Sequence, residues 1–223
     1  MAKRLGKISA SVPKILIDIH GKSFIEIQFN YYAEQGITDF IYLTGHLSKD
    51  IEEKIEQLQK VHPSLNLDYI CEGPDSYGTG GAVKNAFENL SYEEAFITYG
   101  DNYLDFNLKN FSQFCESNEI LSTMTVYKNN NKFDKSNIDF KDGLVVDYCK
   151  DNLNKDFEYI DYGLSYFTRD FYLSLSAEKK FDLSHILKKA SQKKSLYGFE
   201  VFNRFYEIGS LSSLNEFKLK IER

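Results

Sequence analysis

From Ser23 to Tyr99, short apolar runs alternate with stretches whose apolar residues recur at helical spacing, and turn residues separate the two kinds. Phe24, Ile27 and Tyr31 share one face of a helix that Ser23 can cap and that stops before Gly36. The run FIYL at residues 40–43 reads as a buried strand. Leu47, Ile51, Ile55 and Leu58 mark a second helix, which His62-Pro63 ends because proline drives the residue before it out of helical backbone. A strand follows at residues 67–71, a helix through Val83, Ala86, Phe87 and Leu90, and a strand, AFITY, at residues 95–99. This repetition predicts an α/β chain with a Rossmann-like, mostly parallel mixed sheet and helices on both faces. Ligands of such sheets bind beyond the carboxyl ends of the strands, so the loops that follow strands are where chemistry belongs.

The pattern changes after Ser117. LSTMTVY (121–127), NIDF (137–140), LVVDY (144–148) and YIDYGLSYF (159–167) are β-type segments separated by Asn, Lys, Asp and Gly turns. Helical spacing returns at Leu183, Ile186, Leu187 and Ala190, and again at Leu214, Phe217 and Ile221. The polar stretch at 128–137 reads as a surface loop or hairpin, and no internal repeat is visible. One domain over residues 1–223 is expected, with halves meeting at about residue 118.

A chain of 223 residues buries roughly 70% or more of the surface it exposes unfolded, so it needs neither disulfide nor metal to fold. The net charge of -6 argues against duplex nucleic acid as a partner, since phosphate binding needs a basic surface. Cys71, Cys115 and Cys149 form no CxxC pair and read as reduced thiols of a cytoplasmic protein. No apolar run approaches the ~20 residues of a membrane span, and MAKRLGK leads into no signal-peptide core. His20, His46, His62 and His185 lack metal-ligand spacing. The 18 Phe and 16 Tyr residues fit a core or a subunit interface, which leaves a homo-oligomer open.

Three segments invite chemistry, each with a plainer alternative. Gly78-Thr79-Gly80-Gly81-Ala82 lies between a strand and a helix expected to start near Ala82. Glycines there let backbone N–H groups approach a flat or anionic ligand; the alternative is a flexible helix entry. Gly100-Asp101-Asn102 follows AFITY directly, so Asp101 can offer oxygen to a hard divalent cation, or it can simply start a turn. Lys3, Arg4, Lys7 and Lys14 crowd the first fourteen residues, where they can grip a polyphosphate or form a solvated tail.

Taken in order, MAKRLGKISASVPKILI, TGH, EGPDSYGTGGAVKNA and ITYGDNYLD resemble the sugar-1-phosphate nucleotidyltransferases, most closely the heptose-1-phosphate guanylyltransferase type. YIDYGLSYF and RFYEIGSLSSLNEF extend the likeness over essentially the whole chain. The resemblance implies that Arg4 and Lys14 bind and polarise a nucleoside triphosphate, GTP favoured. It gives Gly78, Thr79, Gly80 and Gly81 contact with base and ribose, with Glu72 nearby. It makes Asp101 and Glu207 ligands of Mg²⁺, Lys150 the holder of the sugar phosphate, and Asp161 and Gly163, in IDYGLS, part of the sugar site. The first half becomes nucleotide-binding, and the second sugar-binding and metal-completing. The reaction implied makes a nucleotide-sugar and pyrophosphate for cell-surface polysaccharide synthesis.

The sequence also departs from the family. Ala2 replaces a glycine, Lys3 a small hydroxyl residue, and Cys149 the acid usual before that lysine. The family's first strand and its two glycines have no counterpart, so Met1 is expected to lie inside the full signature. A nucleotide-binding protein with impaired catalysis is therefore a second expectation. A third is a glycosyltransferase that holds its metal with Asp101 and Asp105.

Overall fold

The computed structural model of the chain describes residues 12–45, 48–72, 76–117, 120–150 and 156–222. In chain order the elements are β1 (Asp18–Ile19), β2 (Lys22–Ser23), α1 (Phe24–Glu34), β3 (Asp39–Thr44), α2 (Ser48–Val61), β4 (Asn66–Cys71) and α3 (Gly78–Asn89). There follow β5 (Glu94–Thr98), β6 (Asn102–Leu104), α4 (Leu108–Ser117), β7 (Ser122–Lys128), β8 (Ile138–Lys141), β9 (Leu144–Tyr148) and β10 (Tyr159–Thr168). The chain closes with α5 (Arg169–Ser174), α6 (Leu183–Gln192), β11 (Tyr197–Val201), β12 (Phe205–Glu207) and α7 (Leu211–Ile221). Two compact units result, each assembled from separated stretches of the chain. One holds Met1–Asp75, Gly100–Tyr103 and Phe205–Arg223, the other Ser76–Tyr99 and Leu104–Arg204.

In the first unit, β3 and β4 pair in parallel from Asp39 opposite Asn66 to Thr44 opposite Cys71. The helical periodicities supply their cover: Ile25 and Phe29 of α1 and Ile55 and Leu58 of α2 pack with Leu67 in one core. Each such side chain contributes roughly 1.5–3 kcal/mol on burial. A second core gathers Ile17, Ile19, Phe24, Tyr103, Ile208, Leu214 and Phe217, with the Phe24 and Phe217 rings 5.3 Å apart. It sits under the pairing of β6 with β12. The β1–β2 hairpin turns through His20-Gly21, whose φ values of 53° and 86° are those of a primed turn.

The second unit is built on a six-stranded sheet in the order β5-β10-β7-β11-β9-β8. Met124, Val126, Tyr162, Phe167, Ile186 and Leu187 are its fully buried centre. The ten-residue β10 runs antiparallel to both β5 and β7, and its register shifts between Asp161 and Ser165. Gly163 lies inside that bulge with φ 111°, a conformation that a side chain would strain.

The α/β class and the mixed sheet are as expected, but their weighting differs from the mostly parallel expectation. β3 pairs with β4 and β7 with β11 in parallel, whereas the pairings of β10 with β5, β7 and β8, of β8 with β9 and of β9 with β11 are antiparallel. Short connections enforce this. Asp142-Gly143, with φ of 50° and 79°, joins β8 directly to β9, and a two-residue turn can link only antiparallel strands.

Candidate active site

Asp101 reaches its place through backbone bonds made by two distant segments. Ile208 N–H donates to the Asp101 carbonyl at 3.0 Å, and the buried amide of Gln28 donates to the Asn102 carbonyl at 2.7 Å. The loop after β5 is thereby held from β12 on one side and α1 on the other. Lys14 begins a 3₁₀ turn, Lys14–Leu16, that Pro13 precedes and whose first bond is Leu16 N–H to the Pro13 carbonyl at 2.9 Å. Its Nζ lies 3.2 Å from Asp101 Oδ2, across 87 positions of sequence. The two side chains are 28% and 39% exposed, so a ligand can reach both.

Glu207 ends β12 directly before Ile208, whose N–H bonds the Asp101 carbonyl, so the backbone at residues 207–208 lies beside that at Asp101 in the first unit. No group of three or more His, Cys, Asp or Glu side chains among the described residues forms a ready cage. Two carboxylates suit Mg²⁺ all the same, because that ion keeps several waters and takes its remaining ligands from substrate phosphates. Glu72 follows β4, its N–H bonded to the Thr44 carbonyl at 2.9 Å. Its Oε1 is buried with no hydrogen-bond partner among the described residues, an arrangement that a ligand's donor would relieve. Arg4 lies outside the described residues.

In the second unit the glycine-rich stretch is helical from Gly78 onward, four residues earlier than the expected start near Ala82. The Gly80 and Gly81 N–H groups donate to the Phe181 carbonyl at 3.0 and 3.1 Å. A Cβ on Gly80 would meet the Phe181 ring at 2.5 Å, one on Gly81 the Lys179 carbonyl at 2.3 Å, and one on Gly78 the Phe181 carbonyl at 2.6 Å. These glycines are required by the close approach of residues 179–182, which corrects the reason first given for them: the two buried N–H groups serve the protein. Thr79 stands among them with its side chain bonded both as donor and as acceptor. Its hydroxyl donates to Asp182 Oδ1 at 2.9 Å and accepts the Leu183 N–H at 2.9 Å.

Lys150 Nζ lies 3.0 Å from the other oxygen of Asp182. Burial raises the Asp182 carboxyl, but the bonds from Lys150 and Thr79 outweigh it and hold the group below its ordinary value. Nearby in the same unit, burial pushes Asp161 up to about 6, although the Gly163 N–H at 2.9 Å, the Tyr148 hydroxyl at 3.5 Å and the charge of Lys150 all favour its ionised form. Burial above all, with Asp161 beside it, keeps the Tyr148 hydroxyl protonated. The Gly163 carbonyl accepts the Thr98 hydroxyl at 3.0 Å. Cys71, Cys115 and Cys149 form no disulfide among the described residues, and burial pushes the Cys115 thiol up to about 11, which leaves it inert.

No family model matches the chain. A D-glycero-alpha-D-manno-heptose 1-phosphate guanylyltransferase of Campylobacter jejuni is 27% identical to it over 218 residues, which cover 94% of this chain and 90% of that one. The structure of HddC from Yersinia pseudotuberculosis complexed with GMP-PN superposes with a TM-score of 0.77 at 21% identity, covering 98% and 94% of the two chains. The inositol-1-phosphate CTP transferase from T. maritima superposes at 0.78 and 19%, over 100% and 92%. This is the fold of the sugar-1-phosphate nucleotidyltransferases.

Within that nucleotidyltransferase fold the expected residues fall into two groups. Lys14, Asp101, Glu207 and Glu72 belong to the first unit, and Gly78, Thr79, Gly80, Gly81, Lys150, Asp161 and Gly163 to the second. Sequence reasoning missed Asp182, Tyr148 and Thr98. An aspartate directly before a helical run was visible at Asp182, but it signals only a helix cap. Its partners stand 32 and 103 positions away.

Proposed function

We propose that the chain transfers a nucleoside monophosphate from a nucleoside triphosphate, GTP favoured, to a sugar 1-phosphate. A phosphate oxygen of the sugar attacks the α-phosphorus, the bond from that phosphorus to the bridging oxygen breaks, and pyrophosphate leaves with the electron pair. The attacking oxygen is already anionic at neutral pH, so positioning and charge neutralisation carry the catalysis without a general base. The observation that carries the reading is the pairing of Lys14 with Asp101 in a chain whose sequence likeness to a heptose 1-phosphate guanylyltransferase extends over 94% of its length.

Lys14, with Arg4, binds the triphosphate and stabilises charge moving onto pyrophosphate. Asp101 and Glu207 would hold Mg²⁺, which supplies charge neutralisation at the α-phosphate when bound. Glu72 and the Gly78–Thr79 helix start serve the nucleotide, with the buried Glu72 oxygen as an acceptor for a base N–H. Lys150 receives the acceptor phosphate, and Asp161 and Gly163 line the sugar side. The product is a nucleotide-sugar, made in the cytoplasm for cell-surface polysaccharide. The deciding experiment measures pyrophosphate release from each of GTP, CTP, UTP and dTTP with a panel of sugar 1-phosphates and Mg²⁺. Release with GTP above the others supports the reading, and no release with any pair defeats it.

A further inference from the structure

Among the described residues of the second unit, the Asp182 carboxylate binds two residues assigned to different substrates. Oδ1 takes the Thr79 hydroxyl at 2.9 Å and Oδ2 takes Lys150 Nζ at 3.0 Å. The direction of the first bond is fixed, because the ionised Asp182 carboxylate can only accept, and the Thr79 oxygen meanwhile accepts the Leu183 N–H at 2.9 Å. Phe181, next in the chain, takes the N–H groups of Gly80 and Gly81 at 3.0 and 3.1 Å. Residues 181–183 therefore clamp the first turn of α3, and the same short segment reaches out to Lys150.

We propose that Asp182 is a positioning residue: it aims Lys150 at the acceptor phosphate and ties that lysine, through Thr79, to the glycine-rich helix start. The proposal rests on the reading of Lys150 given above. An ion pair 55% and 45% exposed contributes little to stability, so stability alone does not account for it. Its effect is on order. A lysine stem loses rotamer freedom when its ammonium is used, and a carboxylate that already holds the ammonium removes that cost from substrate binding. Three N–H donors on Nζ leave two for a phosphate while one stays on Asp182. Asp182→Asn separates the two arms. The amide oxygen can still accept from Thr79, whereas the position facing Lys150 loses its charge and presents a donor to a donor.

The experiment uses the full chain and its D182N, T79V, K150A and D182N/T79V variants, with two readouts. One is the dissociation constant for inorganic phosphate by calorimetry; the other is steady-state pyrophosphate release with nucleoside triphosphate and sugar 1-phosphate varied separately. The expected result is phosphate binding weakened about tenfold in D182N, with the KM for sugar 1-phosphate raised by a like factor and that for the triphosphate changed less than twofold. T79V weakens phosphate binding on its own but adds nothing in the D182N background, a non-additivity that a merely structural helix cap would not produce. Phosphate binding unchanged in D182N overturns the proposal, as does simple addition of the two effects. Phosphate binding unchanged in K150A overturns it too, together with the role of Lys150, while pyrophosphate release can still uphold nucleotidyl transfer. Phosphate binding that depends on Lys150 and Asp182 in a chain that releases no pyrophosphate upholds the positioning role and defeats only the enzymatic reading.

Discussion

Lys14 Nζ and Asp101 Oδ2 lie 3.2 Å apart, so each is the other's ion-pair partner. In the proposed reaction both must exchange partners, Lys14 for a phosphate and Asp101 for a cation. An exposed pair of this kind is worth at most about 1 kcal/mol, which makes the exchange cheap. Asp101→Asn should therefore shift the melting temperature by no more than about 2–4 °C. Turnover should fall at least about a hundredfold, as for loss of a group that stabilises transition-state charge. Melting curves and pyrophosphate assays on the same preparation check both halves, and full activity in the variant would remove Asp101 from the site.

Removal of divalent metal should leave the substrate-free protein untouched, since Asp101 there is paired with Lys14 and the cores of both units are apolar. It should abolish the stabilisation given by nucleotide. A triphosphate at a hundred times its dissociation constant adds about 2.7 kcal/mol to the folded state. Thermal scans with GTP and Mg²⁺, and again with excess chelator, should show that rise and its loss. A rise that survives chelation would sink the metal assignment.

The glycines of α3 predict a steep contrast. Gly81→Ala drives a Cβ to 2.3 Å from the Lys179 carbonyl, backbone that cannot swing away. It should cost about 2–3 kcal/mol, as overpacking does. Gly143→Ala, at φ 79° with nothing within 4 Å of the added carbon, meets only backbone strain and should cost about 1–2 kcal/mol. Urea unfolding of the two variants checks the order, and equal losses would refute the packing account of Gly81.

Asp161 sets a pH dependence of definite sign. Its folded value, pushed up by burial to about 6, lies above that of the unfolded chain, so the folded state binds the extra proton between about pH 4 and pH 6. Its contribution to stability is complete below that window and is lost as the pH rises through it, by about 3 kcal/mol in all. Asp161→Asn should flatten this fall, so that the variant gains on the wild type as pH rises from 4 to 7. Parallel unfolding titrations of the two proteins would expose the effect; a constant difference across that range would contradict it.

The sequence yielded the elements that bury a regular face. The α1, α2, β3, β4 and β5 periodicities all appear within a residue or two of their expected places, because cores made of Ile25, Phe29, Ile55 and Leu58 demand those spacings. Gly78–Gly81 misled for a physical reason. Glycine is a poor helix former, and only the segment around Phe181, a hundred positions away, makes a glycine turn the better fit. β6 and β12, of three residues each, are too short to show alternation, yet Ile208, directly after β12, bonds the Asp101 carbonyl directly before β6. At the candidate site, position and resemblance singled out Asp101 and Lys14 but not their pairing, and Asp182 not at all, since a side-chain contact across the fold leaves no periodic trace.

The seating of α3 on residues 179–183 has a practical consequence for re-engineering. A nucleotide loop grafted from a related protein would replace residues 78–81 alone, and any donor residue larger than glycine at 78, 80 or 81 would collide with Phe181 or Lys179. The two stretches behave as halves of one part. Transplanting specificity into this scaffold means moving both together, so a library that varies only the glycine segment would yield mostly misfolded chains.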